Sequence, residues 1–133
     1  MFDDNLIYLE YKYNSCFVDS EASNSCININ VSKERGSIVF NYGDGSFKEY
    51  VVNNTFFNKL NKILDKYDVQ NWDNYEDVKC IDGDNTFISY KYSDGKYGLI
   101  SKDKYPIGME KVFSEVLKYL CNINKLINWF LFL

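Results

Sequence analysis

Two copies of one local pattern limit what this chain can fold into. The first copy is Ser37 to Tyr42, the turn Gly43-Asp44-Gly45, Ser46 to Val52, and then a helical stretch from Asn54 to Tyr67. The second is Phe87 to Tyr92, the turn Ser93-Asp94-Gly95, Lys96 to Ser101, and then Met109 to Leu120. An Asp-Gly step between two alternating runs is a strong short-range hairpin signal, because glycine takes the positive φ that such a turn needs. A hairpin followed by an amphipathic helix buries its apolar side only if the helix lies across it. The pattern predicts an α+β fold: an antiparallel sheet of about six to seven strands built from Asp-Gly hairpins, with two amphipathic helices packed on one face.

The segments before the first copy extend the sheet. Between Leu6 and Tyr13, strict alternation sends Ile7, Leu9, Tyr11 and Tyr13 one way and Leu6, Tyr8, Glu10 and Lys12 the other. Cys26 to Ser32 alternates more cleanly, with Ile27, Ile29 and Val31 set against Asn28, Asn30 and Ser32. Lys33 to Gly36 reads as a turn, with Gly36 free to adopt positive φ. Residues 6–52 should therefore form a four-stranded meander within a single domain of 133 residues.

Asn53 or Asn54 is a sound N-cap for the helix at 54–67, where Phe56, Phe57, Leu60, Ile63, Leu64 and Tyr67 recur at helical spacing. An acidic connection follows at 68–84, with Val78, Cys80 and Ile81 suggesting a short strand within it. Then come the second hairpin at 86–101 and a helix at 108–121, where Met109, Val112, Phe113, Val116, Leu117 and Leu120 keep the helical period. The tail 122–133 is nearly all apolar and either prolongs that helix or supplies an interface. Ile127, Trp129, Phe130 and Phe132 are its candidate contact residues, either in the chain's own core or in a homodimer.

Charge is concentrated. Asp68, Asp73, Glu76, Asp77, Asp82 and Asp84 stand against Lys79 alone, so 68–84 carries −5 of a chain whose formal net charge is −4. Arg35 is the sole arginine, and a chain without a basic stripe is a poor direct binder of nucleic acid. An acidic segment suits a partner with a basic surface. Its plainer reading is a solvated connection.

The absence of histidine removes Ser-His and Cys-His catalytic pairs and any histidine metal site. Cys16, Cys26, Cys80 and Cys121 lack zinc-ligand spacing and read as reduced, partly buried thiols. The acidic residues fit no EF-hand loop, so no metal or other cofactor is expected. Asp44, Asp82 and Asp94 read as turn formers through Asx hydrogen bonds. The start Met1-Phe2-Asp3-Asp4-Asn5 is unlike a secretory signal and no apolar run is long enough for a transmembrane segment, so a cytoplasmic location is expected.

The order of helix, Trp72-Asp73, Asp82-Gly83-Asp84, Tyr92-Ser93-Asp94-Gly95, Tyr105-Pro106 and helix resembles a group of small, uncharacterised proteins from low-GC Gram-positive bacteria and their relatives. The resemblance spans roughly residues 38–120. It rests on turns and core positions, so it implies the fold and brings no activity with it. The sequence departs from that pattern around Lys96 to Lys104 and in the tail.

Small size, a localised acidic segment and abundant tyrosine lead to the expectation of a non-enzymatic, protein-binding inhibitor. Its type would be a toxin-immunity protein, or a bacteriophage anti-defence protein of the anti-CRISPR kind that occupies a nuclease. Trp72, Asp73, Glu76, Asp77, Asp82 and Asp84 are its expected contact residues. The alternative is a small-molecule-binding oligomer with an aromatic pocket. A carboxylate-dependent metalloenzyme ranks third.

Overall fold

The computed structural model describes residues 5–15, 26–71, 84–101 and 109–131, with the backbone alone at 13–15, 84–85 and 124–131. The fold is α+β: a six-stranded antiparallel sheet with two helices. The strands are β1 (Leu6–Ser15), β2 (Cys26–Ser32), β3 (Ser37–Tyr42), β4 (Phe47–Val51), β5 (Asp84–Tyr92) and β6 (Tyr97–Ser101). The helices are α1 (Asn54–Lys66) and α2 (Lys111–Leu131), and a short 3-10 turn occupies Val69–Asn71. The order across the sheet is β4-β3-β2-β1-β5-β6. The long β1 sits inside, paired to β2 on one side and to β5 on the other, from Leu6↔Tyr92 to Ser15↔Asp84. It joins the two hairpin–helix units into one sheet.

Both Asp-Gly turns have the same construction. The Gly45 amide donates to the Tyr42 carbonyl, and Gly95 repeats this with Tyr92. The glycines take φ of +87° and +94°, the left-handed conformation that closes a three-residue hairpin loop. Each aspartate then acts as an Asx cap: Asp44 accepts from the Ser46 amide and hydroxyl, and Asp94 from the Lys96 amide. Gly36, at φ +64°, turns β2 into β3.

The core face is organised in rows set by the strand register. One row runs Tyr50, Ile38, Val31, Leu9, Tyr90, Gly98, and the next Lys48, Phe40, Ile29, Tyr11, Ile88, Ile100. Ile38, Val31, Leu9, Ile88 and Ile100 are fully buried. Tyr11, Tyr90 and Tyr92 are buried with them, so these tyrosines are core packing.

Strict alternation fails twice, each time at a bulge. The β1·β5 register shifts between Leu6 and Tyr8, so Ile7 is the extra residue and Leu6, expected on the outer face, is buried opposite Tyr92. The β2·β3 register shifts between Cys26 and Asn28, and Ile27, expected inside, is 40% exposed.

The Asn53 side chain caps α1 by accepting from the Phe56 amide at 3.0 Å. The helix buries Phe57, Leu60 and Leu64. Each such side chain contributes roughly 1.5–3 kcal/mol when removed from water. Val112, Phe113, Val116 and Leu120 of α2 complete the core. The helix expected at 108–121 begins at Lys111 and continues to Leu131, through most of the segment read as an apolar tail. Among the described residues no helix is long and apolar enough to cross a membrane.

Candidate functional site

Both helices lie on one side of the sheet, and the opposite face forms a grid of three rows. They read Val51-Ser37-Ser32-Tyr8-Lys91-Tyr97, Glu49-Val39-Asn30-Glu10-Ser89-Leu99 and Phe47-Asn41-Asn28-Lys12-Phe87-Ser101. Ser37 and Ser101 are buried, and the other positions are half-buried or exposed. Among the described residues the largest apolar exposures stand at the two edge strands: Val51 (88%) and Phe47 (64%) on β4, and Tyr97 (72%) on β6.

Between those edges runs a connected polar strip. The Asn28 side-chain oxygen accepts from Asn41 at 2.7 Å and from Asn30 at 3.1 Å. The Asn28 amide nitrogen donates to Glu10 at 2.8 Å, and the Tyr8 hydroxyl donates to Asn30 at 3.1 Å. Five half-buried side chains on three strands are thus tied to one another by hydrogen bonds. Sequence reading missed this strip, although its signal was present: Asn28, Asn30 and Asn41 all fall on the outer parity of their strands.

A second feature lies on the helix side. A cavity of about 380 Å³ opens between the sheet and α2. Tyr11, Ile29, Phe40 and Tyr42 form its sheet wall, and Leu117 and Cys121, one helical turn apart, form its helix wall. Cys26, Ile27 and Asn28 of β2 and Thr86 of β5 complete the described lining. Burial raises the pKa of the Tyr11 phenol, with a smaller contribution from Cys121. Partial desolvation likewise raises that of the Cys26 thiol, against weaker hydrogen bonds that lower it. Both groups are held in their neutral, poorly nucleophilic forms.

Among the described residues, one ionic contact ties the helices. Glu115 of α2 accepts from Lys66 at 2.9 Å and from the Tyr67 hydroxyl at 2.8 Å. These bonds lower the Glu115 carboxyl below the ordinary range. Lys66 is 63% exposed, so solvent screens the pair and its contribution is weak.

Of the residues expected to contact a partner, Trp72, Asp73, Glu76, Asp77 and Asp82 lie outside the described residues. So do the strand expected near Val78 to Ile81 and the end of the tail at Phe132. Asp84 is the first residue of β5, its backbone paired with Ser15. Ile127, Trp129 and Phe130 lie within α2, described as backbone only. No group of three or more metal-ligating side chains occurs among the described residues. Comparison with protein-family models, curated proteins and solved structures returns no match to this chain.

Proposed function

We propose that the protein works by binding a second protein, as an inhibitor or immunity protein does, and that the uncovered sheet face is its contact surface. The observation that carries this reading is the outer grid. A fixed polar strip, Tyr8-Asn30-Asn28-Asn41 with Glu10, lies between the exposed apolar side chains Phe47 and Val51 at one edge and Tyr97 at the other. Fixing the polar groups in advance lowers the entropy cost of docking.

Size decides how much of an interface the face supplies. Six strands about 4.8 Å apart span roughly 24 Å, and three rows along the strands add about 15–20 Å, giving on the order of 400–500 Å². A stable complex buries about 800 Å² on each partner. The sheet face therefore needs a further contribution, and the acidic segment containing Trp72, Asp73, Glu76, Asp77 and Asp82 is what the sequence offers. Its charge selects a partner with a basic surface, such as a nuclease or toxin, and speeds encounter in a salt-dependent way.

The test is capture of a partner from bacterial or phage-infected lysate by the tagged chain and by two variants. Phe47→Ala with Tyr97→Ala should abolish stoichiometric capture. Reversal of Asp73, Glu76, Asp77 and Asp82 to lysine should weaken it most at low salt. Capture that survives both variants would defeat the proposal.

A further inference from the structure

The cavity between the sheet and α2 lies on the opposite side from the proposed contact face, and its walls have a definite chemistry. Its volume of about 380 Å³ falls in the range of roughly 300–1,000 Å³ typical of small-molecule sites. Water alone would be a poor occupant: about a dozen molecules, at roughly 30 Å³ each, would have to lie against aromatic and aliphatic walls.

Three aromatic residues line one side: Tyr11 on β1, and Phe40 and Tyr42 on β3, with Ile29 of the intervening β2 between them. Offset or edge contact with such rings favours another flat aromatic body. Leu117 gives an aliphatic wall opposite. Polar groups are few: the Thr86 hydroxyl, the tyrosine hydroxyls, and the thiols of Cys26 and Cys121. Asn28 is a lining residue too, but its side chain is engaged on the opposite face, its oxygen by Asn30 and Asn41 and its nitrogen by Glu10. The described lining residues are all uncharged types. Lys48 stands over the Tyr42 ring, 5.9 Å from its centroid, but is not among the lining residues, so a charged ligand would lose hydration against these walls that a neutral one with a single hydroxyl or N–H would not.

We propose that this cavity binds a small, uncharged aromatic molecule bearing one hydrogen-bonding group, of the phenol or indole class. Such a ligand enters beside Cys26 and Ile27, the exposed residues of the described lining, and rests between the Tyr11-Phe40-Tyr42 wall and Leu117. Occupancy covers both thiols.

Titration with 2-naphthol and, separately, with 2-naphthoate, followed by calorimetry, tests this directly. The neutral compound should bind saturably at one per chain, and the carboxylate at least tenfold more weakly. Alkylation of Cys26 and Cys121 by an uncharged maleimide, read residue by residue by mass spectrometry, should slow severalfold in the 2-naphthol complex. Leu117→Trp, which fills the cavity from the helix side, should weaken binding at least tenfold. Should that variant fail to fold, the thiol protection in the unaltered protein decides. Absence of saturable 2-naphthol binding, equal binding of the carboxylate, unchanged binding in a folded Leu117→Trp protein, or unchanged thiol reactivity would each overturn the proposal.

Discussion

The Tyr119 hydroxyl donates to the Phe56 carbonyl at 2.9 Å while its ring stacks on the Phe56 ring, centroids 4.9 Å apart and planes 27° from parallel. One residue of α2 thus fixes the first turn of α1 through both a hydrogen bond and a ring contact. Tyr119→Phe removes the bond and keeps the ring. Stability in urea should fall by about 1 kcal/mol. Tyr119→Ala removes both and should cost about 2 kcal/mol or more, since an aromatic pair adds about 0.5–1.5 kcal/mol beyond its burial. Equal midpoints for wild type and Tyr119→Phe would show that the hydroxyl does not tie the helices together.

The same substitution should have the opposite sign at Tyr92. Its hydroxyl is fully buried, and although the Gln70 side chain is near enough to lower its pKa, it makes no hydrogen bond of good geometry. Removing an unsatisfied buried polar atom is neutral or favourable. Tyr92→Phe should leave the urea midpoint unchanged or raise it, by up to about 1 kcal/mol. A clear loss would mean that the hydroxyl has a partner in solution.

The bulge at Ile7 makes a prediction that simple alternation reverses. Leu6 is 1% exposed and Ile7 is half-buried. Leu6→Ala should cost about 2–5 kcal/mol, as for other buried leucines, and Ile7→Ala markedly less. The reverse ranking in chemical denaturation would place β1 in the unbulged register.

Stability should fall on the alkaline side. Burial raises the phenol pKa of Tyr11, Tyr90 and Tyr92, and raises Tyr92 most strongly. Unfolded tyrosine ionises near pH 10, so above that pH the unfolded chain releases protons that the folded chain keeps. The stabilisation is complete below about pH 10 and is lost as pH rises through the folded-state values. Absorbance at 295 nm should show a late group of tyrosines ionising together with the loss of near-ultraviolet circular dichroism. If every tyrosine ionises while the fold persists, the buried assignment is wrong.

Much of the fold was legible because it is specified locally. The Gly45 and Gly95 turns, the Asn53 cap and the helical spacing of Phe57, Leu60 and Leu64 each depend on residues a few positions apart. The bulges at Ile7 and Ile27 were not legible, because a bulge is a property of two paired strands and alternation within one strand cannot reveal it. The same limit hid the candidate surfaces. The polar strip needs the register that sets Asn28 opposite Asn41, and the cavity needs α2 placed over Tyr11 and Phe40. The tyrosines on the strands could be read as surface or as core until the helices chose a side.

Amide chemical-shift mapping of the isotope-labelled chain, free and bound to its captured partner, tests the central claim most directly. The account predicts large perturbations along Val39, Asn30, Glu10 and Ser89, the middle row of the uncovered face, extending to Phe47 and Tyr97 at its edges. Perturbations confined to the outward sides of α1 and α2, with that row unchanged, would contradict it.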